Sequence, residues 1–422
     1  MAQESLLSND LLRQLVAVGQ VDILVGLPTL NHASTVPDIV RTVQSTFSTY
    51  FPRQRTVLLN SDGGSDDNTP AIVRDCCLDE AATVTMSHSL RTTHRISTPY
   101  HGVPGKANAL RRIFAVADLL GAGVLVVLDP EVVSLTPEWV AALARPIRDQ
   151  QFDFVAPVYP RHPMEGLLVT QLLRPLIRAA YGRRVREPLA GEFGCSSKFA
   201  AYCVEQPVWD SDLTQNSIDL WLTGTALAGP FTTCQAWLGP RVLATGLHRP
   251  GLAEVFKQVV GSAFQALDAH ADYWLPRTIS EDVPLLGAAL GDPADTPPHD
   301  GTPLVQSFSR DVKDLEEILR VILTPETLAA VTASAEHDDG PRYPDEVWAA
   351  TVYEFLVAYH RSVMRRDHIT QALLPLYLAR SGTFLIEHAA GVPDTVNEAL
   401  ESVCRAFERS KESAVERWNQ TT

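Results

Sequence analysis

The segment GVLVVLDPE, residues 123–131, is the clearest indication of the fold. Its apolar run does not alternate with polar residues, which is typical of a strand that is buried on both faces of a parallel sheet. Comparable runs occur at 21–28, 55–60, 82–86 and 152–158, and amphipathic stretches near 36–49, 69–79, 105–119 and 137–148 separate them. This alternation predicts an α/β fold with a mostly parallel, Rossmann-like sheet, in which ligands bind beyond the carboxyl ends of the strands.

The chain on either side of this sheet divides into three further regions. Residues 1–20 carry leucines at helical spacing and predict an N-terminal helix. Residues 161–270 mix helical and strand-like stretches, and residues 271–422 have a helical pattern. We therefore predict that the sheet region, 21–160, is followed by a mixed region and then by a C-terminal helical extension.

The composition is that of a globular protein with an acidic surface. The chain has 422 residues, with 35 Lys and Arg against 50 Asp and Glu, which gives a formal charge of −15. A strongly acidic protein does not attract polyanions, so we expect neither a nucleic acid nor a membrane as a partner. The six cysteines have no paired CxxC spacing, which is typical of reduced thiols in a cytoplasmic protein.

Two carboxylates end the most apolar run. Asp129 and Glu131 are separated by Pro130, which fixes its own φ and favours an extended Asp129. Side chains at i and i+2 of an extended chain project to the same side, roughly 6.5–7 Å apart along it. Carboxylates so placed suit Mg²⁺ or Mn²⁺ beside phosphates, although an ordinary turn after a strand explains the triplet as well.

Two other residues could serve the same site. Lys106, in PGKAN (104–108), falls in the first turn of a helix, where it either faces an anion such as a diphosphate or is a solvated surface lysine. His248 follows a strand-like stretch, and an imidazole beside carboxylates favours Mn²⁺, although a lone histidine is often structural. The sequence contains neither GxGxxG nor GxxxxGK[ST], so side chains would have to hold a nucleotide.

In combination these segments resemble one family, the retaining glycosyltransferases that make glucosyl-3-phosphoglycerate or mannosylglycerate and have a glycosyltransferase A-type fold. PTLN (28–31) is similar to the nucleotide-binding segment of that family, SDGGSDDNT (61–69) to its acidic turn, PGKAN to its lysine loop and DPE to its metal motif. The resemblance implies donor-binding roles for Pro28, Leu30, Asn31, Asp62, Lys106, Asp129, Ala190 and Gly191. It implies a metal site formed by Asp129, Glu131 and His248.

The resemblance extends to residues that would act on the sugar and the acceptor. PLAGE (188–192) is similar to the segment beneath the donor sugar, which implies catalytic roles for Leu189 and Glu192, together with Asp219. For Glu192 and Asp219 we favour a positioning role over that of a covalent nucleophile. YPR (159–161) is similar to the acceptor loop, and an arginine there suits a carboxylate. The implied acceptor-binding residues are Arg161, Glu165 and Thr170.

Several residues depart from the family pattern. Glu131 replaces Asp in the metal motif, Ala107 and Ala190 replace glycines, and His32 stands where the family usually has Glu. The longer carboxylate and the added Cβ atoms affect the choice of donor more than the fold.

The resemblance implies a metal-dependent, retaining hexosyltransferase. The donor would be a UDP- or GDP-hexose, the cofactor Mg²⁺ or Mn²⁺, and the acceptor D-glycerate or a similar small hydroxy acid. Residues 21–160 would form the nucleotide-sugar-binding half, and residues 161–270 the acceptor-binding and catalytic half. Retention would follow from attack on the face that the diphosphate leaves, with a phosphate oxygen taking the proton of the acceptor.

Other interpretations remain open. The same fold could act on another acceptor such as 3-phosphoglycerate, whose additional phosphate could bind Arg183, Arg184 and Arg186. The chain could also be a catalytically silent sugar-nucleotide-binding protein, because the DPE triplet and Ala107 differ from the family pattern. Apolar residues at helical spacing in the C-terminal region, such as Trp348, are also compatible with a homodimer.

Overall fold

The structure is a computed structural model of the chain. It describes residues 7, 9–76, 94–99, 106–162, 164–189, 191–210, 218–244, 251–289, 291, 300–337, 342–389 and 393–420. Contacts divide the chain into two compact units. The first unit comprises Met1–Arg161, Ala190–Leu247 and Val283–Ala294, and the second comprises His162–Leu189, His248–Asp282 and Asp295–Thr422. The domain boundaries expected from the sequence stay a prediction.

The secondary structure alternates along the first half of the chain and is mainly helical in the second half. The described strands are β1 (Ile23–Thr29), β2 (Thr56–Asp62), β3 (His94–Pro99), β4 (Val124–Val127), β5 (Phe154–Val158), β6 (Arg183–Arg184), β7 (Phe193–Ser196), β8 (Thr233–Trp237), β9 (Glu281–Asp282) and β10 (Leu285–Leu286). The described helices are α1 (Asn9–Val18), α2 (Val36–Tyr50), α3 (Thr69–Asp75), α4 (Lys106–Leu119), α5 (Pro137–Gln150), α6 (Arg174–Tyr181), α7 (Ser197–Val204), α8 (Ile218–Ala228), α9 (Leu252–Ala269), α10 (Ala271–Trp274), α11 (Thr302–Val305), α12 (Phe308–Asp314), α13 (Glu316–Ile322), α14 (Pro325–Ala335), α15 (Asp345–Arg361), α16 (Arg366–His388) and α17 (Pro393–Asn419).

A mixed sheet lies at the centre of the first unit. Its described strands have the order β10-β8-β5-β7-β4-β1-β2-β3. Strand β7 runs antiparallel to β4 and β5, and the remaining neighbours pair in parallel. β1 and β2 pair in register from Ile23 opposite Thr56 to Thr29 opposite Asp62. The predicted α/β fold, with a mostly parallel sheet and a C-terminal helical region, is therefore confirmed.

The central strands are buried along their length. Every residue of β1, β2 and β4 is buried. Because both faces of such strands meet apolar neighbours, their sequences are continuous apolar runs. Gly26 in β1 allows a close approach of α4, since a Cβ at this position would lie 2.5 Å from Cγ2 of Ile113. The alternation of apolar runs and amphipathic stretches thus predicts the centre of the sheet well.

The outer part of the sheet differs from the sequence prediction. The predicted strand at 82–86 lies outside the described residues, and the strand next to β2 is β3, His94–Pro99. The strand-like stretch 238–246 contributes, in its described part, a bridge between Leu243 and Val132, whereas β8 lies just before it. β3 and β8 have the sequences HRISTP and TCQAW, which mix polar and apolar residues. A search for apolar runs therefore does not find them.

The antiparallel strand β7 brings a distant segment to the end of β4. Val127, the last residue of β4, lies opposite Phe193, the first residue of β7. Because β7 runs in the opposite direction, the residues that precede it lie at the same edge of the sheet as those that follow β4. Glu192 and Asp129 therefore lie at one edge of the sheet.

The second unit consists of helices and a short sheet in which β6 and β9 pair in parallel. Residues 271–422, which have a helical pattern in the sequence, contain the described helices α10 to α17 and the short strands β9 and β10. Large aromatic side chains fill the core, including the fully buried Trp274, Trp348, Tyr181, Tyr343, Tyr353, Phe256 and Phe264. No helix in the described ranges of either unit is long and apolar enough to cross a membrane.

Buried arginines connect the helices of the second unit. Arg178 on α6 donates hydrogen bonds to Glu401 at 2.7 and 2.8 Å and to Glu408 at 2.8 Å, both on α17. Arg380 on α16 donates to Asp345 at 2.6 Å and to the side chain of Gln171 at 3.0 Å. Each buried charge thus has a partner, which is the condition under which a protein tolerates it.

Lys411 is a buried cation of a different kind. Its side chain donates to the carbonyl oxygens of Ala179 at 2.9 Å, Ala180 at 3.0 Å and Arg277 at 2.6 Å. Two of these carbonyls belong to the end of α6, where backbone acceptors lack helical partners. Burial, with a smaller contribution from the charge of Arg277, lowers the pKa of Lys411 to about 8.

This lowered pKa predicts a pH-dependent stability. Between pH 8 and the usual pKa of lysine, the folded state binds fewer protons at Lys411 than the unfolded state does, so stability rises with pH. The free energy of unfolding of the wild type, relative to Lys411→Met, should rise by about 1 kcal/mol from pH 7 to pH 9. Urea unfolding followed by circular dichroism measures this difference. Lys198→Met removes an exposed lysine and serves as the control, and a pH-independent difference for Lys411→Met would contradict the prediction.

Candidate active site

A cavity of about 210 Å³ opens at the carboxyl ends of β1 and β4. β1 is followed on one side by β2 and β3 and has β4 on its other side, so the strand order reverses here. Ligands of open α/β sheets bind at such a reversal. The cavity is lined by Pro28, Thr29, Leu30, His32, Lys106, Asp129, Pro130 and Glu131. It brings together the predicted residues Pro28, Leu30, Lys106, Asp129 and Glu131.

Asp129 is held on two sides. Its Oδ1 accepts a hydrogen bond from the backbone N–H of Glu131 at 2.9 Å, and its Oδ2 accepts one from Nη2 of Arg241 at 2.9 Å. Gly191 packs its backbone against this carboxylate, because a Cβ on Gly191 would lie 2.5 Å from Oδ2. Burial would raise the pKa of Asp129, but the charges of Lys106 and Arg241 hold this pKa below its usual value.

Glu192 is buried and shares Arg241 with Asp129. Nε of Arg241 donates to Oε1 of Glu192 at 3.1 Å, and the hydroxyl of Tyr159 donates to Oε2 at 2.5 Å. Burial raises the pKa of Glu192, whereas Arg241 and the Tyr159 hydroxyl act in the opposite direction. Burial would lower the pKa of Arg241, but Glu192 holds it above its usual range, and Asp129 adds to this effect. Arg241 is therefore a permanent cation between two carboxylates.

Lys106, the first residue of α4, forms an ion pair with Asp219 of α8. Its Nζ lies 2.8 Å from Oδ1 and donates a hydrogen bond to Oδ2 at 2.9 Å. Burial would lower the pKa of Lys106, but the charges of Asp219 and Asp129 hold it above its usual value. The cavity wall therefore carries a fixed positive charge, and Asp219 holds it in place.

The PTLN segment and the acidic turn after β2 are bonded to each other. The backbone N–H of Asn31 donates to Oγ of Ser65 at 2.8 Å, and its side-chain oxygen accepts the N–H of Asp66 at 2.9 Å. Asn31 has a φ of 60°, in the left-handed region that asparagine tolerates. Asp62 accepts the N–H groups of Gly64 and Ser65 at 2.9 and 2.8 Å. Asn31 and Asp62 thus shape the two loops, and direct contact of either with a donor stays a prediction.

His32 lines the cavity at the position where the resembled family has Glu. Its Nδ1 accepts the backbone N–H of Leu30 at 3.0 Å, so the neutral imidazole carries its proton on Nε2. Burial lowers the pKa of His32, although the charges of Glu131 and Asp129 oppose this shift. A neutral imidazole in this tautomer donates from Nε2, whereas a glutamate would accept. His32 can therefore recognise an acceptor group of a ligand through Nε2.

The remaining predicted residues lie either in the second unit or outside the described residues. Glu165, Thr170 and Leu189 are part of the second unit, in which each is half-buried. Ala190 and His248 lie outside the described residues. The roles that the resemblance implies for these five residues stay predictions.

Arg241 and Tyr159 are the site residues that the sequence patterns do not reveal. Two arginines lie near the ring of Tyr159, with Cζ of Arg161 and Cζ of Arg241 at 5.3 and 5.8 Å from the ring centroid. A charged residue within the strand-like stretch 238–246 is a signal that could have marked Arg241. Nothing in the YPR spacing shows that the Tyr159 hydroxyl meets Glu192.

The carboxylates of the cavity fit a hard divalent cation that binds together with phosphates. Asp129 and Glu131 both offer oxygen donors on the cavity wall. In the part of the chain that the structure describes, no group of three His, Cys, Asp or Glu side chains could hold a metal ion by itself. Mg²⁺ is commonly held by one or two carboxylates, with phosphate oxygens and water completing its shell. This donor set matches that arrangement.

Comparison with known proteins gives matches among solved structures. No family model and no curated protein matches the chain. A crystal structure of glucosyl-3-phosphoglycerate synthase from Mycobacterium tuberculosis with Mn²⁺, UDP and phosphoglyceric acid is 20% identical, with a TM-score of 0.41 over 63% of this chain and 84% of that chain. The same enzyme with Mn²⁺, UDP-glucose and phosphoglyceric acid is 20% identical, with a TM-score of 0.42 over 64% and 86%. These structures belong to the family that the sequence resembles, and a likeness of this degree assigns no activity to the chain.

The contact between Tyr159 and Glu192 predicts a pH-dependent effect of Tyr159→Phe. Loss of a hydroxyl that bonds a buried carboxylate should cost about 1.5–3 kcal/mol at neutral pH. Because the hydroxyl lowers the pKa of Glu192, its removal raises that pKa further, so the loss of stability should be larger at pH 8 than at pH 5. Thermal unfolding of both proteins at the two pH values measures this.

Tyr353→Phe is the matched control. The Tyr353 hydroxyl is also buried but donates to a neutral acceptor, the carbonyl oxygen of Phe407, at 3.1 Å. Its loss should lower stability equally at pH 5 and pH 8. The prediction for Tyr159→Phe would be wrong if its effect were as independent of pH as that of the control.

Proposed function

We propose that the chain is a cation-dependent, retaining hexosyltransferase that moves a hexose from a UDP- or GDP-sugar to D-glycerate or a similar small hydroxy acid. The observation that carries this proposal is the cavity in which Lys106, Asp129 and Glu131 meet at the strand-order reversal. A basic side chain beside two carboxylates at this edge suits a diphosphate and a divalent ion together.

The charges of the cluster support a role for the ion. We define the cluster as six described residues, namely the carboxylates Asp129, Glu131, Glu192 and Asp219 and the cations Lys106 and Arg241. Its formal charge is −2 when every side chain is ionised. A cluster of this charge repels a free diphosphate. One divalent ion offsets the excess, which is why we infer that donor and cation bind together.

Asp129 and Glu131 would hold this cation, and His248 stays a predicted third ligand. The ion, when bound, would stabilise the negative charge that develops on the leaving diphosphate. Lys106 would act on the same diphosphate, since its ammonium is already fixed on the cavity wall by Asp219.

The contacts of Glu192 and Asp219 favour positioning roles for these carboxylates over that of a covalent nucleophile. Glu192 accepts from Arg241 and Tyr159, and Asp219 accepts from Lys106, so both groups are engaged within the protein. In the proposed step the bond from the anomeric carbon to the diphosphate oxygen breaks, and a bond to the acceptor hydroxyl oxygen forms on the same face. The hydroxyl proton passes to the diphosphate oxygen that has just been released, so the atoms balance without a protein nucleophile.

Arg161 is the proposed partner of the acceptor carboxylate. Its guanidinium lies against the ring of Tyr159, and a fork of N–H donors suits a carboxylate. Arg183 and Arg184, which the sequence offers for an additional phosphate, pair instead with Glu281 at 3.2 Å and Asp282 at 3.1 Å. Exposed ion pairs of this kind are weak, and Arg186 stays a further predicted phosphate partner, so 3-phosphoglycerate stays the alternative acceptor. Glu165 and Thr170 stay predicted acceptor residues.

A transfer assay with purified protein tests the proposal. The chain should release nucleoside diphosphate from UDP- or GDP-glucose or -mannose when D-glycerate and Mn²⁺ are present, and EDTA should abolish the release. Mass spectrometry identifies the product, and NMR of its anomeric proton shows whether the configuration is retained. Transfer to 3-phosphoglycerate alone would favour the alternative acceptor, and thermal stabilisation by donor and Mn²⁺ without turnover would favour the silent binding protein.

Glu131→Ala tests the role of the cation-binding carboxylate. We expect transfer with Mn²⁺ to fall by about 100-fold or more, since the cation beside the leaving group loses one of its protein ligands. Calorimetry should show weaker Mn²⁺ binding in the presence of UDP. Glu138→Ala is the control, because Glu138 is an exposed carboxylate of the same unit that bonds Tyr50 at 2.7 Å. Wild-type turnover by Glu131→Ala would overturn the assignment of Glu131.

A further inference from the structure

The segment that follows Arg241 is hydrogen-bonded through its backbone to the segment that carries the proposed cation ligands. Leu243 forms an antiparallel bridge with Val132. The N–H of Val133 donates to the carbonyl oxygen of Val242 at 2.9 Å, and the N–H of Ala244 donates to that of Glu131 at 2.8 Å. The residues after Arg241 therefore run alongside the residues after Asp129, and the two segments keep their register through backbone bonds.

The Arg241 side chain spans the two carboxylates. Nη2 donates to Oδ2 of Asp129 at 2.9 Å, and Nε donates to Oε1 of Glu192 at 3.1 Å. The arginine side chain is 17% exposed, and those of Asp129 and Glu192 are 19% and 0% exposed. A guanidinium fork in so buried a place gives a two-point contact of fixed geometry.

The contact between Arg241 and Asp129 would affect the binding of a divalent cation to Asp129. Oδ1 already accepts the N–H of Glu131, and Oδ2 already accepts from Arg241. A divalent ion on this carboxylate would lie close to the guanidinium, and like charges repel strongly at such range where water is excluded. Binding of the ion to the free protein therefore competes with Arg241.

We propose that Arg241 is a positioning residue that holds Asp129 and Glu192 before the donor arrives and competes with the divalent cation for Asp129. Cation binding is then weak in the free protein and becomes tight when a diphosphate supplies further ligands and negative charge. Arg241 thereby couples the binding of the ion to that of the nucleotide. This inference rests on the proposed function, because it concerns the same cation.

A titration of free Mn²⁺ by electron paramagnetic resonance tests the inference without reference to turnover. Arg241→Gln removes the positive charge but keeps a long polar side chain. In the absence of nucleotide it should bind Mn²⁺ at least about tenfold more tightly than the wild type, since the repulsion is removed. UDP should then raise its Mn²⁺ affinity by a smaller factor than it raises that of the wild type. Thermal unfolding of the same samples confirms that the variant is folded.

Two further variants test whether the charge of Arg241 is responsible for the change in Mn²⁺ affinity. Arg241→Lys keeps the charge and should bind Mn²⁺ like the wild type. Tighter Mn²⁺ binding by Arg241→Lys than by the wild type would overturn the inference even if Arg241→Gln does not fold. Lys198→Gln removes the cation of another ion pair of the first unit, with Asp153 at 3.1 Å, and should leave Mn²⁺ affinity unchanged. Equal affinity of the wild type and Arg241→Gln would overturn the inference alone. Absence of Mn²⁺ binding in both, with or without UDP, would overturn the proposed cation site and the inference with it.

Discussion

The arrangement of the cavity depends on one ionic contact, in which Arg241 bonds both Asp129 and Glu192. Two buried carboxylates at one edge of a sheet would each lose their hydration and would also repel each other. The guanidinium removes both difficulties, because it supplies charge and directed donors to each carboxylate. Lys106 acts in the same way on Asp219. The pKa of Asp129 therefore stays below its usual value although its carboxylate shares Arg241 with Glu192.

The sheet determines where these partners meet. β7 is inserted antiparallel between β4 and β5, and this insertion brings Glu192 to the edge at which β4 ends. The loops after β1 and β2 belong to the same edge, and bonds from Asn31 to Ser65 and Asp66 join them. The strand order and the hydrogen bonds between the loops therefore together determine where the residues of the cavity wall lie. A ligand would meet side chains whose positions are set before it binds, which lowers the entropic cost of binding.

The sequence predicts those strands and site residues that can be recognised from their immediate neighbours in the chain. Continuous apolar runs mark β1, β2, β4 and β5, because strands buried on both faces need such runs. The placement of Lys106, Asp129 and Glu131 at the cavity follows from their positions next to strand and helix ends. β3 and β8 carry too many polar residues to stand out, and β7 is short. The contact of Arg241 with Asp129 joins positions 112 residues apart and depends on the bridge between Leu243 and Val132, so no local pattern predicts it.

The discontinuity of the first unit has a consequence for biosynthesis. Its edge strand β10, Leu285–Leu286, pairs with β8, whereas His248–Asp282, which lie between the two strands in sequence, belong to the second unit. During translation, the sheet therefore stays incomplete until both His162–Leu189 and His248–Asp282, which belong to the second unit, have been synthesised. During this interval an unpaired edge of β8 is accessible to chaperones and to other nascent chains.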